Sequence, residues 1–429
     1  MAEAYSNYPD SWYTATATGV KGRAPLAGQQ TADICVIGGG FTGLSAALHL
    51  RKKGYSVALL EAGRVGWGAS GRNGGQVSGG QRKDQEDLED MFGMDTAIEL
   101  WKIAEESVKS VKSLVAEHKI DCHLKPGVMA ACHRKSDVKW YHQYAEKLAR
   151  DYKAKDQIPL SKAETAAILG TDRYHGGLLD RTACHIHPLN FALGLSLAAE
   201  KEGAILYEES RVTHYKTNGK PEVFTQFGSV VCDHVILACN GYLGSLEKRL
   251  AGKIMPINNF IIATEPLPEA LAKRINRDDV AVFDTKFVLD YFRLTHDRRM
   301  LWGGGENYRP GFPSDIAGFV QKYMTKVYPE LRDYKVDYAW GGTLAITVNR
   351  MPHFGRLDDN KIFYAQGYSG HGVAMATEAG KMIAEAVSGT AERFDLMAKV
   401  PTPTFPGGTM LRYPGMVAAM TWFGLRDRL

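Results

Sequence analysis

The apolar positions of this chain fall into two recurring patterns. Short, mostly apolar runs, Ile34 to Ile37, Val57 to Leu60, Val230 to Ala238 and Ile362 to Ala365, read as buried parallel strands. Elsewhere apolar residues return every three or four positions. Leu44, Ala47 and Leu48 do so directly after the first run, with Leu50 beyond. Ala97, Trp101, Ala104, Val108, Val111 and Val115 do so over a longer stretch, with Asp95 placed to cap it. Val138 to Tyr152 is a more polar helix for the surface, and another begins at Pro188, proline being favoured in the first helical position. Residues 254–345 have a different texture. Asn259 to Ala263, Ala281 to Phe283, Val288 to Leu294 and Met300 to Gly304 are β-type runs, which predict a separate antiparallel sheet. Leu124 to Cys132, Ala204 to Tyr207 and Arg211 to Tyr215 are further strand material. The fold class is therefore α/β with a second, sheet-based domain. The expected layout is an N-terminal arm over 1–31, a discontinuous nucleotide-binding domain over 32–90, 160–253 and 340–395, a substrate domain over 91–159 and 254–339, and a tail over 396–429. Trp12 and Tyr13 are the expected anchors of the arm.

The first apolar run opens into chemistry. It leads into Gly38-Gly39-Gly40-Phe41-Thr42-Gly43, which fits G-x-G-x-x-G, and a helix follows. Gly38 permits the tight turn, Gly40 lets the backbone approach a pyrophosphate, and Gly43 lets helix and strand pack closely. The free amides of the helix N-terminus then face the phosphates. The second run ends in Glu61, 18 positions after Gly43, where an acid can accept from a ribose 2′-hydroxyl. This unit specifies a dinucleotide with a free ribose and does not separate NAD from FAD. Ala62 to Gln76 follows, with seven glycines and serines in fifteen residues, too many for a packed helix. A loop laid against a flat ligand accommodates them, so Ala62, Ser70, Arg72, Asn73, Gly74, Gly75 and Gln76 are candidate contacts, with Arg72 as a candidate phosphate ligand. After Val230 to Ala238, the turn around Gly241 offers another backbone approach. The last run enters a second glycine loop, Gly367 to Gly372, followed by a helix. Gly370, His371, Gly372, Val373 and Ala374 then stand where a helix N-terminus stabilises negative charge, such as that on a reduced flavin. On their strand, Tyr291 and Arg293 share one face.

Bulk properties narrow the class. The 429 residues carry a formal net charge of only +4, which argues against a nucleic-acid partner. No apolar run is long enough to span a bilayer, so no transmembrane segment is expected. The N-terminus lacks the basic start and apolar core of a secretory signal. The six cysteines form no C-x-x-C, which fits buried free thiols in a reducing cytoplasm. Cys122-His123, Cys132-His133 and His185-Ile186-His187 match no common metal pattern. A capping or domain-packing role is expected for the H-x-H pair. The tail beginning at Met410 is expected to dock on the body.

The fingerprint, the second glycine-rich loop, H-x-H-P and the late GYSGHG helix occur in one order. In that order they resemble the D-amino-acid-oxidase-like family of FAD-dependent oxidoreductases, over about residues 30 to 395. WGASGRNGGQ, VLDYFRLT, TLAITVNRMPHFG and the ending WFGLRDRL are similar to members acting on polyamine derivatives such as γ-glutamylputrescine. The resemblance implies a Rossmann-like, glutathione-reductase-like FAD domain interleaved with an α+β substrate domain. It implies Gly38, Gly40 and Gly43 at the pyrophosphate, with Phe41 and Thr42 between them, Glu61 at the adenosine ribose, Val212 at the adenine, and residues 370–374 along the flavin edge. It implies a small-molecule amine substrate and molecular oxygen as partners. Tyr291, Arg293, Trp340 and His371 are the expected lining of the substrate face, with Lys286 a weaker candidate for oxygen activation. Covalent members use a cysteine in the C-terminal third or a histidine in the early loop. Here no Cys follows Cys239 and residues 63–76 hold no His, so non-covalent FAD is expected. Val373-Ala374 stand where sarcosine-oxidase-like members carry a carboxylate-binding lysine, which suits an amine remote from any carboxylate. The rival readings are an oxidase of another amine or N-methyl amino acid, an NAD-dependent dehydrogenase, and a non-catalytic flavoprotein subunit. The oligomeric state stays open.

Overall fold

The computed structural model describes residues 7–286, 288–307 and 311–415. The ending quoted above, within 416–429, lies outside the described residues.

Three sheets organise the chain. The first has six strands in the order His353–Leu357, Ile362–Gln366, His234–Leu237, Ile34–Ile37, Val57–Leu60 and Ile205–Tyr207. All neighbours are parallel except the outermost pair, His353–Leu357 with Ile362–Gln366. Its central strands are wholly buried, as unbroken apolar runs require. The helices Phe41–Lys52 and Gly372–Val387 lie together over one face of it and share its core. The second sheet has nine strands. It runs from Val336–Ile346 through Met255–Thr264, Met300–Asn307, Tyr291–Leu294, Ala281–Asp284, Lys125–Ala131 and Gly177–His185 to Gln76–Val77, with Gln157–Leu160 also on Gly177–His185. A separate core centred on Phe260, Phe292, Trp302 and Tyr328 covers its outer face. The third, four-stranded sheet joins Gly28–Thr31 of the arm to Gly228–Val231, Glu222–Phe224 and His214–Lys216.

Several expectations change. The substrate sheet is mixed, because Ala281–Asp284 pairs in parallel with Lys125–Ala131. Gly177–His185, Gln76–Val77 and the start of 340–395 belong to this sheet by hydrogen bonding, although the layout above put them with the nucleotide domain. Val230 to Ala238 is two strands in two sheets. The chain steps across at Cys232-Asp233, where the Asp233 amide donates to the Asp33 carbonyl. The long helix is Met94–Glu117 and starts from Gly93 at φ +80°, a glycine conformation, so Asp95 lies in its first turn. His187 caps Pro188–Lys201, its Nδ1 accepting the Asn190 amide at 3.0 Å, which is the capping role expected of the H-x-H pair. The arm is fixed, with Trp12 and Tyr13 fully buried. The described part of the tail docks through Arg412, which donates to the Ala251 and Ile254 carbonyls. Among the described residues no helix is long and apolar enough to cross a membrane.

Candidate active site

A cavity of about 680 Å³ runs between the six-stranded sheet and the inner face of the nine-stranded one. Its size falls within the roughly 300–1,000 Å³ typical of cofactor and ligand sites. The glycine fingerprint forms one end. Gly38 turns at φ +111°. A Cβ on Gly43 would stand 1.9 Å from the Gly38 carbonyl oxygen, so the third glycine is fixed by helix–strand packing. A Cβ on Gly40 would lie 2.8 Å from Ser70 Oγ, and that hydroxyl accepts the Phe41 amide at 3.0 Å. Fingerprint and second loop are therefore locked together across a gap that a side chain would close. Glu61 accepts from the Gly39 amide at 2.7 Å and the Gly63 amide at 2.8 Å. Burial raises its pKa against the opposing pull of those amides. Arg211, Val212 and Thr213 extend this end.

The two glycine loops meet. Thr42 Oγ1 and Tyr368 Oη are 2.7 Å apart, joining positions 326 residues distant in sequence. The helices that begin at Phe41 and Gly372 thus open into one cleft, whose amides and positive dipole ends suit a negatively charged cofactor. Gly370, His371, Gly372, Val373 and Ala374 line it. His371 Nε2 lies 2.9 Å from the Gly79 carbonyl, which can only accept, so Nε2 carries the proton and Nδ1 is left as the acceptor nitrogen. Burial holds its pKa below the usual histidine value. Cys239 also lines the cleft, and burial pushes its thiol up to about 12, far from a reactive thiolate.

Of the remaining cofactor candidates, Ala62, Ser70, Arg72, Asn73, Gly74 and Gln76 line the cavity. Gly75 and Gly241 lie behind it. A Cβ on Gly75 would meet the Ile186 carbonyl oxygen at 2.1 Å, and one on Gly241 the Leu344 backbone at 3.3 Å. Arg72 does not extend toward a phosphate. Its guanidinium donates to the Trp67 carbonyl at 2.6 and 2.9 Å and to the Gly341 carbonyl at 3.0 Å, and it stacks on the Trp67 ring. It braces the loop.

The substrate-face candidates divide. Tyr291 lines the cavity, its ring lying against Gly74, where a Cβ would come within 2.7 Å, and its hydroxyl bonds to Asn259. Arg293 shares its strand face, as alternation requires, yet reaches behind the loop. It donates to the Gly74 carbonyl at 2.9 Å and the Ile186 carbonyl at 3.0 Å. Trp340 is 2% exposed and donates to the Arg72 carbonyl at 3.1 Å. Neither lines the cavity. Lys286 is ion-paired with Asp284 and Asp290 and is not among the lining residues. Sequence reasoning missed Asn259, Phe283, Leu289, Arg82 and Arg350. A polar pair, Asn258-Asn259, heading an apolar strand was the available signal for the first; nothing distinguished the arginines from solvated ones.

A family model described as FAD dependent oxidoreductase matches residues 33–386. The chain belongs to that family. Family members use FAD as cofactor, and the cleft fits it: a glycine cradle with no room for side chains, two converging helix N-termini and an enclosed acid, Glu61, beside the first loop. Among its relatives, the "Gamma-glutamylputrescine oxidoreductase" of Escherichia coli (strain K12) is 40% identical over 425 residues, covering 99% of each chain. The "Probable oxidoreductase OrdL" of Rhizobium meliloti (strain 1021) is 37% identical over 422 residues, covering 97% of each. Among solved structures, glycine oxidase from Geobacillus kaustophilus superposes with a TM-score of 0.72 at 19% identity, covering 86% of this chain and 97% of that one. The protein is an FAD-dependent oxidoreductase whose homologues are amine and amino-acid oxidases.

Proposed function

We propose that this enzyme oxidises the primary amine of γ-glutamylputrescine, or a similar polyamine derivative, to the aldehyde, with release of ammonia and hydrogen peroxide. Similarity to the E. coli enzyme over the whole chain supports the substrate class. One observation carries the choice among amines. Arg72, Arg82, Arg211 and Arg350 line the cavity, and Glu61, at the ribose end, is its only acidic residue among those described. A free diamine such as putrescine would find no acidic residue, among those described, at the Tyr291–His371 end to hold its second ammonium. An amine bearing a remote carboxylate has somewhere to place it, and Arg82, close enough to His371 to depress its pKa, is the cation we assign to that carboxylate. Bound FAD, held non-covalently in this reading, supplies the two-electron oxidising power. Tyr291 and Asn259 form the polar wall against which the amine end is oriented. Phe283, Leu289 and Leu344 exclude water from the tetramethylene chain. His371 stays neutral and presents no second cation to the reacting amine.

The test is anaerobic reduction of the enzyme-bound flavin by γ-glutamylputrescine beside putrescine, sarcosine and glycine. γ-Glutamylputrescine is expected to bleach it fastest. Reduction by sarcosine alone would defeat this assignment and leave the family standing. A second reading, oxidation of another amine or an N-methyl amino acid, would then replace it. Steady-state peroxide release over the same panel reports whether oxygen is the acceptor.

A further inference from the structure

Trp340 and Arg293, absent from the cavity, mark the far side of the loop 62–76, and that side is covered by the N-terminal arm. We propose that the arm, residues 7–31, is a positioning element that fixes this loop against FAD, with Tyr8 and Tyr13 as the residues that transmit the constraint. The inference rests on FAD being the cofactor, and not on the identity of the amine.

The contacts follow the loop along its length. The Tyr8 hydroxyl donates to the Val65 carbonyl at 2.7 Å, and Trp67 Nε1 donates to the Asn7 carbonyl at 2.9 Å. Glu208, 1% exposed, accepts from Arg23 of the arm at 3.2 Å, from Arg64 at 2.7 Å and from the Val65 amide at 2.9 Å. Farther along, the Tyr13 hydroxyl accepts from Arg293 Nη2 at 3.2 Å while Arg293 Nε holds the Gly74 carbonyl. The edge of the Tyr13 ring packs on Trp340, with centroids 5.3 Å apart, and Trp340 holds the Arg72 carbonyl. Three loop carbonyls, Val65, Arg72 and Gly74, are thus taken by donors that the arm supplies or backs. None of Tyr8, Tyr13, Arg293 and Trp340 lines the cavity. A loop with seven glycines and serines in fifteen residues has little stiffness of its own. Its shape toward the cofactor must be imposed from behind, and the arm is what stands there. A site held this way loses geometry when its supporting residues are loosened, even though they touch no ligand.

The experiment uses full-length holoenzyme and the double variant Tyr8→Phe/Tyr13→Phe, which keeps both rings and removes both hydroxyls. The comparison variant is Thr14→Val, a change of similar shape that removes an arm hydrogen bond, Thr14 Oγ1 to the Pro9 carbonyl at 2.8 Å, that does not lead to the loop. Read-outs are the FAD dissociation constant from flavin fluorescence on dilution, the visible flavin spectrum and the apoprotein melting temperature. The tyrosine variant is expected to weaken FAD binding about tenfold, the equivalent of one unsatisfied buried hydrogen bond, and to blur the flavin's spectral fine structure. Thr14→Val is expected to leave FAD binding within twofold. Unchanged FAD binding in the tyrosine variant overturns the proposal. So does an equal loss in Thr14→Val, because the arm would then act only through general stability. Either outcome leaves the amine assignment untouched, since that is read from which substrate bleaches the flavin.

Discussion

Replacing Gly380 with alanine separates two effects of opposite sign. Gly380 lies in the helix Gly372–Val387 where it crosses Phe41–Lys52, the two helices whose N-termini form the cofactor cleft. A Cβ there would sit 2.4 Å from the Thr42 carbonyl oxygen, 2.6 Å from the Ala46 nitrogen and 2.7 Å from Ser45 Cβ, where ordinary contact begins at 3.4 Å. The first shortfall is 3.4 − 2.4 = 1.0 Å, and two of the three obstacles are backbone atoms that no rotamer change can move. The helices must separate, stretching the 2.6 Å bond from Ser45 Oγ to the Thr377 carbonyl that ties them. Alanine returns about 1 kcal/mol of helix propensity. Overpacking costs about 1–3 kcal/mol, and the stretched hydrogen bond about 1 kcal/mol more. The steric side prevails by about 1–3 kcal/mol. The same shift misplaces both helix ends by about an ångström, which in a preorganised site costs up to about a hundredfold in rate. Differential scanning calorimetry of the holoenzyme is therefore expected to show a lower melting temperature, and stopped-flow anaerobic reduction a slower flavin bleach. A variant that melts at or above the parent temperature and reduces at the parental rate would refute the argument, because propensity would then have outweighed the contact.

Three further outcomes are expected. Gly40→Val places branched carbon where a Cβ is already 2.8 Å from Ser70 Oγ, and it should purify colourless, with no flavin absorbance near the visible band of the parent. Arg82→Gln should raise KM for γ-glutamylputrescine about tenfold, the weight of a charge-assisted hydrogen bond, with a smaller effect on kcat; a fall in kcat at constant KM in the peroxide assay would place the carboxylate elsewhere. His353 is buried against Tyr364 and Gln366, and burial lowers its pKa from 6.5 to about 4. The unfolded chain then binds the extra proton, so stability present above pH 6.5 is lost as pH falls toward 4. His353→Gln should flatten the pH dependence of melting in that window by about one proton's worth.

Much of the nucleotide half was legible because its signals are local. A strand, three glycines, a helix and an acid within about thirty residues are each tied to a physical task, and the structure shows the strand–helix order, the turn at Gly38 and the close packing at Gly43. The meeting of residues 42 and 368 followed from both segments being strand–glycine–helix units on one sheet. What escaped the sequence depends on distant partners. Alternation put Tyr291 and Arg293 on one face correctly. It could not say that a glycine loop would divide that face, leaving the ring in the cavity and the guanidinium behind. Trp340 read as a site aromatic because its burial by Tyr13 joins residues 327 positions apart. Val230 to Ala238 reads as one strand by its apolar content, yet the polar pair Asp233-His234 interrupts it, and the chain passes there from the third sheet to the six-stranded one. Arg82 carried no periodic or motif signal, since an arginine beside a lysine in a polar stretch is the composition of solvated surface.

The arm comes early in the chain relative to the groups it packs against, His187, Asp297 and Trp340. Its docking closes some of the longest loops in the molecule, and such contacts form late in folding. During synthesis the arm must wait until these later residues have left the ribosome. The loop it braces is unsupported for that interval. Firm retention of the prosthetic group thus becomes a property of the finished chain, and a nascent or C-terminally truncated product ending before residue 340 would carry the nucleotide fingerprint without holding its ligand well.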